Sequence, residues 1–164
     1  MNSYYLRTMV SYWACKKFNT SYFFNINGSS ETISATNSIN DGGSQSIIIG
    51  RQDGYSSTSF NGSIDQIRIF NTALPQSAVT ALYNETTTTA TYPYVDYVNT
   101  NPNSVAYYKM SDATDQFGNY NGTATNVNFN TEGKFGFAGG FNGSSSRIQM
   151  PNNSFNYTTM SFSG

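Results

Sequence analysis

The chain is punctuated from end to end by dipeptides that favour tight turns. Asn-Gly occurs at 27–28, 61–62, 121–122 and 142–143, and Asp-Gly at 41–42 and 53–54. These pairs tolerate the positive φ angles of two-residue hairpins, so they cut the chain into short extended segments. The runs between them with strand character are 21–26, 46–50, 63–70, 104–110, 135–141 and 147–150. Short strands joined by polar turns predict an antiparallel sandwich or barrel. Composition agrees: 13 tyrosines and 12 phenylalanines suit a pleated, half-buried surface, and only 10% of residues are charged.

Within 63–70 the alternation places Asp65, Ile67 and Ile69 on one face and Gln66, Arg68 and Phe70 on the other. If the isoleucines face a core, Asp65 does too. A buried carboxylate needs a cation or several donors. Two readings of it stay open: bonds from a neighbouring loop, or a metal ligand. A single helix is expected at 74–83, with Pro75 at its start and Val79, Leu82 and Tyr83 on one side. About three turns do not persist alone in water, so that helix must lie on the sheet. The stretch 85–103, with four consecutive threonines and two prolines, reads as a linker or an edge segment.

Several classes of chemistry are excluded or disfavoured at once. The chain has no histidine, which removes Ser-His-Asp and Cys-His nucleophilic sites and imidazole-based zinc sites. Its one cysteine, Cys15, has no partner for an internal disulfide. A net charge of −1 with dispersed lysines and arginines gives no footprint for nucleic acid. No apolar run approaches the roughly 20 residues that span a bilayer, so no membrane insertion is expected. The first residues carry no recognisable secretory signal pattern.

The run FNGSIDQIRIFNTALPQSAVTALYN, residues 60–84, closely resembles the end of a laminin G-like (LamG) domain of the concanavalin A-like lectin/glucanase superfamily. Upstream, FFNINGSSE and QSIIIGRQDG resemble that family's preceding strands. The remainder resembles the family's beginning: SVAYYKMSDATDQFGNYNGTATNVNF looks like its opening strand and loop, GKFGFAGGFNGSSSRIQMPNNSF like the strands that follow, and TTMSFSG like the next. The resemblance implies an all-β, antiparallel jelly-roll β-sandwich with one short helix. It also implies an unusual order: residues 1–84 as the back half of a domain, 85–103 as a linker, and 104–164 as a front half. Such a chain is either the end of one tandem domain followed by the start of the next, or one circularly permuted domain in which the halves combine. Residues 1 to about 20 lack the family's alternation; they are either misplaced sequence or a substitute strand, and receive no role. The two Phe-Asn-Gly-Ser copies, at Phe60 and Phe141, fall at different places in the domain and are not a repeat of one unit.

The resemblance also sets expectations for a site. In jelly rolls of this kind the first and last strands are neighbours, so Asp65 would approach the opening loop with Asp112, Asp115 and Asn119. Calcium, which takes six to eight oxygens, is the cofactor these residues suggest. Sugars stack on exposed aromatics while amides and carboxylates read hydroxyls. The aromatics available include Tyr55, Phe60, Tyr92, Tyr94, Tyr97, Tyr107, Tyr108 and Tyr120; Tyr55 with Asp53, and Tyr120 with Asn121, are the loop candidates. The implied function is a non-catalytic carbohydrate-binding or adhesion module of a larger extracellular, cell-surface or virion protein such as a phage tail. Its partners would be glycans or surface polysaccharide, adjacent LamG domains or other subunits. A structural spacer is the alternative of a different class. A glycoside hydrolase remnant is disfavoured, because Glu31, Glu85 and Glu132 are isolated in sequence while hydrolysis needs two carboxylates about 5–9.5 Å apart.

Overall fold

The computed structural model describes residues 12–16, 21–26, 29–34, 47–51, 59–85, 101–151 and 159–164, with side-chain surroundings for 47–51, 59–85, 101–151 and 161–164. The elements, in chain order, are β1 (Tyr12–Lys16), β2 (Ser21–Ile26), β3 (Ser29–Ser34), β4 (Ile48–Ile49), β5 (Asn61–Ile64), β6 (Ile67–Phe70), α1 (Gln76–Tyr83), β7 (Ser104–Tyr108), β8 (Thr123–Thr125), β9 (Asn128–Gly133), β10 (Gly136–Asn142), β11 (Arg147–Gln149) and β12 (Thr159–Ser163). All named strand pairs are antiparallel. Among the described residues the architecture is the mostly antiparallel β fold with one short helix that the sequence predicts.

One six-stranded sheet runs β3-β2-β1-β12-β6-β7. Two three-stranded sheets run β5-β10-β9 and β4-β11-β8. β10 is the middle strand of the first, between β5 and β9, and β11 of the second, between β4 and β8. The core is built from Ile67, Ile69, Val105, Tyr108, Met110, Phe141, Ile148 and Met150, with Ile49, Ile64 and Phe129 packed against it. A second cluster joins Phe70 and Tyr107 to Leu74, Ala78, Val79 and Leu82 of the helix segment. The helix therefore covers the sheet, as its length demands. It starts two residues later than expected because Pro75 takes an extended conformation at its cap, φ −67° and ψ 153°.

One sequence expectation is corrected, and one of two open readings is met. The stretch 63–70 is not one strand: Gln66 adopts φ 55°, and the chain breaks there between β5 and β6. Beyond the break all four residues of β6 are buried, so both of its faces meet protein. Alternation alone therefore does not divide Arg68 from Ile69 by exposure. Second, residues 12–16, open from sequence between misplaced sequence and a substitute strand, form β1 between β2 and β12, with Trp13 opposite Phe162 and Phe24. Strands β3 and β9 lie in segments rich in Ser, Asn and Thr; each is defined by its partner, β3 by β2 and β9 by β10.

Candidate functional site

Asp115 organises the opening loop. It is 1% exposed, and its carboxylate accepts four backbone N–H bonds. Oδ1 takes those of Tyr107 (2.9 Å) and Phe117 (3.1 Å), and Oδ2 takes those of Asn119 and Tyr120 (both 3.1 Å). Asn121 accepts the N–H of Asp115 itself through Oδ1 at 3.0 Å. A carboxylate offers about four lone-pair positions, and here each meets a donor. Gly118, at φ +76°, lets the loop turn back on the carboxylate.

The other expected metal ligands serve local geometry. Asp112 is exposed and closes an Asx turn on the N–H of Thr114 at 2.7 Å. Asn119 is exposed and gives the loop its backbone N–H. Asp65 lies at the strand break, where it accepts the amide of Gln66 at 3.1 Å and the N–H of Phe135, in the β9–β10 turn, at 3.0 Å. Among the described residues no group of three or more Asp, Glu or Cys side chains converges as a metal site. A calcium ion needs six to eight oxygens with free lone pairs. With Asp115 filled by four donors, this ligand set does not fit the ion.

A buried polar chain lies beneath the end of α1. The Arg68 guanidinium meets Glu85 at 2.7 Å, with side-chain exposures of 6% and 9%. It also lies over the ring of Tyr107, 5.1 Å from the centroid. Gln66 accepts from the hydroxyl of Tyr107 and donates to Asp65. Glu85, which the sequence assigns to the linker, is thus fixed to the sheet through Arg68.

Two tyrosines have raised pKa values. Burial raises Tyr107, opposed by the Arg68 charge. Burial, then the Asp115 charge, raises Tyr108, whose hydroxyl donates to the carbonyl of Tyr120 at 2.5 Å. A tyrosine raised in the fold above its free value near 10 contributes stability that is complete below pH 10 and is lost as pH climbs towards the folded value. Lys134, lowered chiefly by burial, works in the opposite direction but is half-exposed. The net expectation is a urea midpoint that declines above about pH 10, with the slope roughly halved in Tyr108→Phe. An unchanged slope in that variant would remove Tyr108 from the account.

Of the expected sugar contacts, Asp53 and Tyr55 lie outside the described residues, as do Tyr92, Tyr94 and Tyr97. Tyr107 and Tyr108 are core residues, 6% and 0% exposed. Tyr120 is partly buried against the core, and Asn121 is bound to the Asp115 loop. Phe60 differs from these. It is 39% exposed and rests edge-on against buried Phe141, with ring centroids 6.1 Å apart and planes at 72°. It stands at the neck of the 51–59 excursion, closed by the Arg51–Ser59 bridge and by the Phe60 N–H on the Gly50 carbonyl at 2.8 Å.

Around Phe60 the two Phe-Asn-Gly-Ser copies lie antiparallel, Asn61 opposite Asn142 and Gly62 opposite Phe141. A Cβ on Gly62 would come within 3.1 Å of the Phe60 ring. Asn142 holds the next turn, its Oδ1 accepting from the N–H groups of Ser144, Ser145 and Ser146 at 2.9–3.1 Å. Ser59 donates to the Ser144 carbonyl at 3.0 Å. The result is a braced aromatic edge flanked by exposed Asn61, Asn142 and Ser144. The sequence shows Phe60 only as one aromatic among many; its pairing with the second Phe-Asn-Gly-Ser copy is what sets it apart.

The laminin G family model described as the concanavalin A-like lectin/glucanases superfamily matches residues 17–80. That stretch is laminin G-like, and the observed antiparallel sheets accord with the β-sandwich of the superfamily. No curated protein and no solved structure gives a significant match to the chain. Among the described residues no helix is long and apolar enough to cross a membrane.

Proposed function

We propose that the protein is a non-catalytic carbohydrate-binding module of an adhesive surface or virion protein, with Phe60 as the stacking residue. The observation that carries this reading is a partly exposed ring, braced from below by Phe141 and bordered by Asn61, Asn142 and Ser144. An aromatic held in place loses little conformational freedom when a sugar stacks on it, and the exposed Asn61 amide and Ser144 hydroxyl beside it can read hydroxyls. Two of the buried acids are otherwise engaged: Glu85 is committed to Arg68 and Asp115 to four N–H donors. That favours binding over hydrolysis.

The test is a glycan array probed with the protein with and without calcium. Glycans retained by the native chain should bind Phe60→Ala at least about tenfold more weakly, about 1.4 kcal/mol. Its unfolding should remain cooperative. No retained glycan in either condition would sink the proposal and leave a structural spacer as the reading. Binding that needs calcium but not Phe60 would move the site elsewhere.

A further inference from the structure

Strands β4, β5 and β6, all before residue 85, take their strand partners from beyond residue 101. β4 pairs β11, β5 pairs β10, and β6 lies between β7 and β12. In the large sheet β12 is inserted between β1 and β6, so a strand from late in the chain separates two from early in it. The larger core cluster is also shared, with Ile67 and Ile69 from one side meeting Tyr108, Phe141 and Ile148 from the other. No strand pair crossing this division depends on which chain supplies it.

We propose that the segments on either side of residues 86–100 are exchangeable half-sandwiches, and that each fits the complementary half of a second copy of this chain. An exchanged pair makes the same strand ladders and core contacts as the closed monomer, so exchange costs no native contact. The balance then rests on concentration. A short connection supplies an effective concentration in the millimolar range, so the closed form dominates in dilute solution. Crowded copies compete on equal terms.

The test uses paired positions 48 and 149, which face each other across β4 and β11. Starting from Cys15→Ser, which removes the native thiol, full chains carrying I48C alone and Q149C alone are mixed, unfolded in urea, refolded at about millimolar concentration and oxidised. A covalent heterodimer is expected, with a yield that falls on dilution. The chain carrying both substitutions, refolded dilute, should close a cross-link within one molecule. A cross-linked double variant without any heterodimer would overturn exchange. Failure of both would overturn the strand pairing itself. A second measurement does not depend on cysteines: a protease site placed within 86–100 of the full chain is cleaved after folding. The two pieces should co-elute under native conditions, and their separation would refute the proposal.

Discussion

Asp115→Ala should lower the free energy of unfolding by about 3–5 kcal/mol, measured by urea denaturation. The residue is almost wholly buried, and its removal strands four backbone N–H groups. An unpaired buried donor costs about 1–3 kcal/mol, and part of that is recovered where the loop opens to water. Domains of this size hold only about 5–15 kcal/mol in total, so the variant loses a large share of its stability. Asp115→Asn discriminates the cause. Its amide nitrogen would face two N–H donors in place of an acceptor, so it should restore no more than about half of the loss. If Asp115→Ala changes stability by less than about 1 kcal/mol, the loop does not depend on the carboxylate.

The second large effect is expected at Glu85. Glu85→Leu leaves the Arg68 guanidinium buried without its counter-charge, which should cost about 3–5 kcal/mol. The Tyr107 ring beneath Arg68 recovers only part of this, since a cation–π contact contributes about 1–2 kcal/mol when desolvated. The double variant Arg68→Met with Glu85→Leu removes both charges and should recover to within about 1–2 kcal/mol of the native chain. A double-mutant cycle on urea midpoints measures the coupling. Simple additivity of the two single losses would show that the pair does not act as a unit. Because Glu85 follows the last turn of α1, loosening of the helix should accompany the single change.

How far the sequence could be read follows from which interactions are local. The strand Ser21–Ile26 and the helix are legible because alternation, turn pairs and Pro75 act within a few residues. The break at Gln66 is not, since a positive φ at glutamine is held by its side-chain bonds to Asp65, Lys109 and Tyr107, 43 positions away in the case of Lys109. β9 carries an Asn-, Thr- and Gly-rich sequence that ordinary propensity would leave as a loop, and it is extended because β10 pairs with it. The opening loop is recognisable as rich in Asx turns, and Asp115 stands out as a carboxylate within it. That its lone pairs are filled by backbone donors depends on the path of the loop, which no spacing reveals. Phe60 and Phe141 are visible as two copies of one tetrapeptide; their contact comes only from the register of β5 against β10.

The bonds that hold Asn142 also bear on how the protein ages. Asn-Gly is the dipeptide at which the glycine nitrogen most readily attacks the side-chain amide, closing a succinimide and shedding ammonia, one reason asparagine is counted as thermolabile. That attack requires the amide to swing towards the following nitrogen. Here the amide oxygen is tied to Ser144, Ser145 and Ser146, and the Gly143 nitrogen already donates to the Phe60 carbonyl at 3.0 Å. The same contacts that shape the turn thus act as a chemical preservative, keeping residue 142 an asparagine for as long as β5 stays in place beside it.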